Sequence, residues 1–191
     1  KKKKRTMKVQ VLILLILLTL FPLFLSAQEI RSMSEVESRR VLSMGETYGK
    51  SSEGVYRYYA KGDSKAFTGI LYANYPSGNT LSWQEYVDGL GQGQFINYYE
   101  NGNFREIGTY EQNKVEGPIR KFHPNGEIQA IGTYKDWRIK VHTWRYYDTE
   151  GKLIETVDYG EKGNIEEVKA YYQKGEIPYS WYAQILQDNG F

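Results

Sequence analysis

The chain has 191 residues, with 25 basic and 23 acidic side chains, a formal net charge of +2 and no cysteine. The lack of cysteine excludes disulfide staples and a lipid anchor on a cysteine within this sequence. The nearly balanced charge is unlike the strongly basic composition by which nucleic-acid-binding domains neutralise phosphate.

The first 27 residues have the pattern of a secretory signal peptide. A basic start precedes an apolar run from Val11 to Leu25, and Ser26-Ala27 supplies a small residue before the cleavage point. An uncleaved membrane anchor is the alternative, but a spanning helix usually needs about 20 residues. We therefore expect a bacterial protein of the periplasm, the cell envelope or the medium.

Removal of this segment would change the charge of the chain. It holds six of the 25 basic residues and none of the 23 acidic ones, so the remainder carries a net charge near −4. We therefore do not expect nucleic acid as a partner.

Residues 28–53 are predicted to form an N-terminal helical cap or a linker. Between Glu29 and Met44, the following residues recur at the spacing of one helix face: Ile30, Met33, Glu37, Val41 and Met44. Such a helix would cover the open edge of the first strand of a repeat array, and binding of a partner is the alternative role.

A repeat of 24 residues lies within residues 54–176. Three copies share these positions: Gly69, Gly93 and Gly117 at the start, Gly78, Gly102 and Gly126 at the midpoint, and Tyr86, Tyr110 and Tyr134 in the last third. A fixed period of this length is typical of stacked supersecondary units. A fourth copy begins at Val141 and is one residue longer before Gly151, and a half copy follows at residues 171–176.

Turn residues recur about every 12 residues, at the spacing of short strands joined by tight turns. Asn101-Gly102 and Asn125-Gly126 are typical of hairpin turns, and the runs between turns are rich in aromatic and β-branched residues. We predict a mainly all-β fold: an antiparallel β-meander of 24-residue hairpin repeats that forms an elongated open sheet, with short flanking helices.

Two details inside the repeat are also predicted. We call a set of equivalent positions in successive copies a slot. One slot holds Thr80, Phe104 and Ile128, and another, three residues later, holds Trp83, Ile107 and Ile131. A separation of three breaks the alternation of a strand and predicts a bulge between the slots. Gly108 and Gly132 follow the second slot, where a side chain would obstruct a bend or a neighbouring ring.

Residues 177–191 are predicted to form a C-terminal cap. Pro178 precedes the segment YSWYAQILQ, residues 179–187, which has the composition of a short helix. Capping of the array is its expected role, with partner binding as the alternative.

The repeat resembles a known family. Its aromatic-Tyr-x-Asn-Gly pattern, present as Tyr98-Tyr99-Glu100-Asn101-Gly102 and followed by Gly108-Thr109-Tyr110, resembles the variant MORN repeat. It is also similar to the repeat of the YwqK-family antitoxins. The resemblance covers about residues 54–176 and implies contact with proteins or membrane surfaces, without catalysis.

The sequence shows no recognisable catalytic or metal-binding set. His123 and His142 do not have the spacing of a metal pair, and His123 fills an aromatic slot of the repeat. The segment Gly89 to Gly93 lacks the Lys-Ser/Thr that completes a phosphate-binding loop. We predict no enzyme activity, no metal and no cofactor.

Aromatic side chains are the best candidates for binding. The 18 tyrosines suit a half-hydrated sheet, either as a structural ladder or as a binding face. The predicted binding strip consists of Tyr75, Tyr99, His123, Tyr147 and Trp144. Partner recognition is expected at the slots that differ between copies, which are Ala73, Asn97, Lys121 and Arg145.

The expected function is a non-catalytic, exported protein-binding scaffold at the cell envelope. An envelope glycan- or lipid-binding module is one alternative, because aromatic columns stack on sugars and contact membranes. An antitoxin-like protein is the other, implied by the family resemblance alone.

Overall fold

The computed structural model describes residues 40–52 and 55–191. The strands are, in chain order, β1 (Val41–Ser43), β2 (Thr47–Ser52), β3 (Val55–Ala60), β4 (Gly69–Asn74), β5 (Thr80–Val87), β6 (Leu90–Tyr98), β7 (Phe104–Glu111), β8 (Lys114–Val115), β9 (Gly117–Phe122), β10 (Ile128–Lys135), β11 (Ile139–Tyr147) and β12 (Leu153–Asp158). The helices are α1 (Glu166–Gln173) and α2 (Tyr179–Asp188), and a 3-10 turn, Met44–Glu46, follows β1.

Ten of the strands in the described ranges form one long sheet. Its order is β1-β4-β5-β6-β7-β9-β10-β11-β12, with β8 beside β7. The pairing of β1 with β4 is parallel and all the other pairings in this sheet are antiparallel. β2 and β3 form a separate antiparallel pair. The predicted mainly β fold with an open, mostly antiparallel sheet is confirmed.

Five-residue loops join strands at one end of the sheet. A backbone hydrogen bond links the first and fifth residues of each loop: Tyr75 and Asn79, Tyr99 and Asn103, His123 and Glu127, Asp148 and Lys152. A bulge lies beside each loop, because the strand registers skip Leu81, Arg105, Gln129 and Ile154. The bulge predicted between the slots of Thr80 and Trp83 is therefore present.

The extra residue of the fourth copy lies in the turn between β10 and β11. The turns β5–β6 and β7–β8 contain two residues each, whereas the β10–β11 turn contains Asp136, Trp137 and Arg138. These three residues have φ of 35°, 68° and 71°. Left-handed backbone is unfavourable for Trp and Arg, so contacts around the turn must hold it.

The N-terminal part of the described chain corrects one expectation. Residues 41–43 form a strand and residues 44–46 a 3-10 turn, so the helix predicted to reach Met44 is wrong over these positions. Val41, Leu42 and Ser43 instead pair in parallel with β4 and cover that edge of the sheet. The predicted signal peptide and residues 28–39 lie outside the described residues. No helix within the described ranges is long and apolar enough to span a membrane.

The C-terminal part of the described chain corrects a second expectation from the sequence. The half copy predicted at residues 171–176 is wrong, because α1 includes Tyr171 and Tyr172. Glu166 and Glu167 lie in the first turn of α1, where negative charge favours a helix. The helix predicted at residues 179–187 is confirmed as α2. Both helices pack into one buried cluster with β11, formed by Ile139, Val141, Val168, Ile177 and Ile185.

The main core lies on the side of the sheet that carries Phe95, Ile119 and Trp144, which we call the covered face. Gly108 and Gly132 sit under these side chains: a Cβ at Gly108 would overlap Phe95 and Ile119, and one at Gly132 would overlap the Trp144 indole. The predicted need for glycine beside a neighbouring ring is confirmed. The opposite side, which carries Tyr98 and alternates with the core residues along each strand, is called the open face.

Candidate functional site

Three of the five residues of the predicted binding strip connect successive five-residue loops. The contacts run from Tyr75 Oη to the Tyr98 carbonyl (2.7 Å), from Tyr99 Oη to the Phe122 carbonyl (2.8 Å), and between His123 Nε2 and the Tyr147 carbonyl (2.9 Å). Each polar tip thereby satisfies a backbone oxygen one loop further along the sheet. These side chains are half-buried, and their geometry explains why histidine can replace tyrosine at position 123.

The loop asparagines form a second, parallel series of contacts. The amides of Asn79, Asn101 and Asn125 donate to the carbonyls of Glu100, Pro124 and Thr149, at 2.8, 2.7 and 2.8 Å. Asn125 also lies in an Asn-Gly turn. Asparagine at this position therefore both favours the turn conformation and bonds the next loop. Asn103 also donates to the Pro124 carbonyl at 2.8 Å, so each step between loops is fixed by at least two hydrogen bonds.

Tyr147 and Trp144 do not continue the column of Tyr75, Tyr99 and His123. The longer β10–β11 turn shifts the fourth copy by one residue, so Asp148 opens the fourth loop and Tyr147 occupies the position of Phe122. Trp144 is fully buried, and its Nε1 donates to the Thr133 carbonyl at 3.1 Å. The five predicted residues therefore do not form one surface.

The structure instead aligns six apolar side chains on the open face, beside the five-residue loops. We call them the apolar strip: Tyr98, Phe104, Phe122, Ile128, Tyr147 and Leu153. They form directly opposed pairs on adjacent strands, Tyr98 with Phe104, Phe122 with Ile128, and Tyr147 with Leu153. The ring of Phe104 lies 5.5 Å from that of Tyr98 and 5.8 Å from that of Phe122, so these rings connect the first pair to the second. Tyr147 and Leu153 have the corresponding positions on β11 and β12.

The apolar strip is only partly shielded from solvent. Phe104 is 43% and Leu153 48% exposed, and the other four side chains are half-buried. Trp83 extends the row, since its Nε1 lies 3.1 Å from the hydroxyl of Tyr98. Within the described ranges, the β2–β3 pair contacts the covered face through Tyr58 and Tyr86, and the helices pack around the β10–β11 turn.

A set of buried and half-buried charges lies between the covered face and α1. We call it the charge cluster: Glu106, Lys121, Arg138, Lys140 and Glu167. Arg138 forms a two-point contact with Glu106, with Nη1–Oε1 at 2.7 Å and Nη2–Oε2 at 2.9 Å, and Glu167 receives Lys121 Nζ at 2.9 Å. The strained β10–β11 turn thus positions a guanidinium that joins β7 to the helix.

The surroundings of Glu167 and Arg138 favour the charged form of both side chains. Burial raises the pKa of the Glu167 carboxyl, but the charge of Lys121 and hydrogen bonds from Tyr134 and Lys121 outweigh it and hold that pKa below its usual value. Burial lowers the pKa of Arg138, but the hydrogen bonds and charge of Glu106 raise it well above the usual value. Neither group is therefore suited to proton transfer near pH 7.

Two cavities lie near the β10–β11 turn and the charge cluster. One of about 470 Å³ is lined by Tyr56, Trp137, Trp181 and Ile185, and its two indole rings are 6.2 Å apart at 71°. The other, of about 440 Å³, adjoins the charge cluster and is lined by Arg105 together with two of the predicted variable slots, Asn97 and Lys121. Arg145, a third variable slot, lines neither cavity and pairs with Ile131.

Of the six residues of the apolar strip, only Tyr147 belongs to the binding strip predicted from the sequence. Phe104 and Ile128 belong to one repeat slot, and Tyr98 and Phe122 to another, but only the strand register shows that the two slots face each other across each loop. In residues 40–52 and 55–191, no three His, Asp or Glu side chains converge as metal ligands. Neither a protein-family model nor a curated protein matches this chain.

Proposed function

We propose that the chain is a non-catalytic binding module that recognises another protein through the apolar strip. The observation that supports this proposal is the alignment of six apolar side chains over six strands, with Phe104 and Leu153 nearly half exposed. Contiguous exposed apolar surface on a soluble protein typically marks an interaction site, and aromatic residues dominate interface energetics.

The shape of the apolar strip indicates the form of the contact. Adjacent strands lie about 4.8 Å apart, so a row over six strands extends about 24 Å. The five-residue loops beside it are fixed to one another by the side chains of Tyr75, Tyr99 and His123. A row held in this way is preorganised, which lowers the entropic cost of binding.

The proposal includes a location outside the cytoplasm. The basic start, the apolar run and Ala27 of the N-terminal segment support export to the bacterial cell envelope or beyond. The resemblance to the variant MORN repeat supports a role in protein contact. The antitoxin alternative depends on resemblance alone and would require the protein to reside in the cytoplasm.

The experiment is capture of partners by the full chain, followed by affinity measurement with the purified partner. The test variant changes Phe104, Ile128 and Leu153 together to Thr, the residue that Thr80 supplies at the same slot. The matched control is Val87→Thr, because Val87 is 51% exposed and lies outside the apolar strip. We expect the triple variant to weaken binding at least about tenfold and the control to stay within about twofold. Unchanged affinity of the triple variant would contradict the proposal.

A glycan- or lipid-binding module is the second candidate, and the 470 Å³ cavity favours it. Trp137 and Trp181 present aromatic surfaces there beside the amides of Gln112 and Gln184. Apolar and aromatic walls with a few polar groups are typical of small-ligand sites. Co-sedimentation with peptidoglycan, polysaccharide or liposomes that is lost in Trp181→Ala would support this candidate instead.

A further inference from the structure

β12 leaves its outer edge unpaired among the described residues. The strands at the equivalent positions of the earlier copies, β5, β7 and β10, are each followed in the sheet by a further strand, β6, β9 and β11. Leu153 and Ile154 on β12 are 48% and 63% exposed. A strand edge with free backbone groups is a template on which an extended segment can add.

We propose that this edge receives an extended segment of the partner protein, with a basic side chain opposite Glu155 and an aromatic or aliphatic side chain beside Leu153. The inference rests on the proposed protein-binding function and specifies the chemistry of the partner.

We infer the basic side chain of the partner segment from the negative charge of β12 and from the strand pairing of an earlier copy of the repeat. Glu106 on β7 pairs with Asn97 on one side and with Lys121 of β9 on the other. Glu155 has the same place on β12, where it pairs with Tyr146 on the inner side. Its outer side is the position that Lys121 occupies beside Glu106. Opposite charges across strands are favourable, so a basic residue fits there.

The apolar side chain follows from the end of the apolar strip. Leu153 occupies on β12 the position that Phe104 has on β7, at the loop-side end of the strand. The ring of Phe104 contacts Phe122 of β9 at 5.8 Å. An apolar residue next to the basic residue of the added strand would contact Leu153 in the same way. The segment would continue the apolar strip by one strand.

A second copy of this chain fits the edge poorly. β12 contains Glu155 and Asp158 and has no basic residue between positions 153 and 158. Pairing of two β12 strands would place four acidic side chains at one junction without compensation. Like charges on paired strands are destabilising.

The probe is a fluorescent peptide with the sequence of residues 114–123 of this chain, which carries the Lys121-Phe122 pair of β9. Its binding to the full chain is measured by anisotropy, and the bound site by amide hydrogen exchange. We expect slower exchange at residues 154–157, and a loss of affinity of about tenfold or more in Glu155→Lys. The matched control Glu150→Lys, in the neighbouring exposed loop, should stay within about twofold.

A charge exchange makes the test specific. A peptide in which Lys121 is replaced by Glu should bind the Glu155→Lys variant better than the wild-type chain. Equal binding to wild type and Glu155→Lys, or no binding, would overturn the inference. So would a dimer in sedimentation equilibrium whose β12 amides are protected without peptide, since it would assign the edge to a second copy. The affinity of the apolar-strip triple variant for the captured partner is measured in a separate experiment. If that affinity falls while the peptide does not bind β12, the proposed function stands and only this inference fails.

Discussion

Arg138 and Glu106 form a two-point ion pair across the covered face, although they are 32 positions apart in the chain. Their N–O distances are 2.7 and 2.9 Å, and their side chains are 7% and 9% exposed. Arg138 comes from the β10–β11 turn, which is one residue longer than the β5–β6 and β7–β8 turns and, like them, has a left-handed backbone. The irregularity of the turn is therefore matched by a contact that holds the turn against the sheet.

Replacement of Arg138 by Met should destabilise the protein strongly. Glu106 would keep a buried charge without its guanidinium partner, which typically costs about 3–5 kcal/mol. Urea unfolding would measure the change in the free energy of unfolding. Arg57→Met is the control, because its partner Asp88 is 68% exposed and such pairs contribute about 1 kcal/mol or less. A loss below about 1 kcal/mol in Arg138→Met would show that the pair is dispensable.

Acid should weaken the attachment of α1 to the sheet. Lys121, Tyr134 and Arg138 hold the pKa of Glu167 in the folded chain below its usual value. A group with a lowered folded pKa stabilises above its unfolded pKa, and this stability is lost as the pH falls through the folded value. We therefore expect the free energy of unfolding to decrease as the pH is lowered from about 4.5. In Glu167→Gln the chain should be less stable at pH 7 and less sensitive to pH in this acid range, and an unchanged pH profile would refute the assignment.

Gly132→Ala should be destabilising for steric reasons. An added Cβ would overlap the indole of Trp144, which is fully buried and hydrogen-bonded to a backbone carbonyl. Overpacking of this kind costs about 1–3 kcal/mol. Gly45→Ala is the matched control, since a Cβ at Gly45 would meet its nearest atom at 3.9 Å. Thermal unfolding of both variants would check the difference, and equal melting temperatures would argue against the overlap.

His123 should be replaceable by Tyr but not by Phe. Tyr75 and Tyr99 already make the corresponding loop contact with their hydroxyl groups. His123→Phe would leave the Tyr147 carbonyl without this partner and should lower the free energy of unfolding by about 1 kcal/mol. His123→Tyr should restore most of it. Chemical denaturation would rank the three proteins, and a Phe variant as stable as the other two would mean that the contact contributes nothing.

The repeat pattern predicted much of the fold because its residues act locally. The bulge next to Phe104 and the restriction at Gly132 both follow from the alternation of side chains along a strand. The same pattern misplaced Tyr147, because an extra residue in the β10–β11 turn shifts all later positions by one. Only the strand pairing reveals where such a residue has been added.

Other features depend on long-range contacts that a sequence period does not record. The adjacent aromatics Tyr171 and Tyr172 look like the paired aromatics of a strand, but they lie on α1. The charges of Arg138 and Glu106 meet only after three turns of the meander have formed. The apolar strip was likewise hidden, because Tyr98 and Phe104 are on opposite sides of a loop and meet through strand register.

Site-specific photo-crosslinking in cells that produce the full chain tests the proposed binding role of the apolar strip most directly. A photoreactive phenylalanine analogue would replace Phe104 in the full chain, and Val87 would carry the same group as the exposed control outside the strip. We predict a discrete covalent adduct with another protein from position 104 and none from position 87. An adduct from position 87 with none from position 104 would contradict the account.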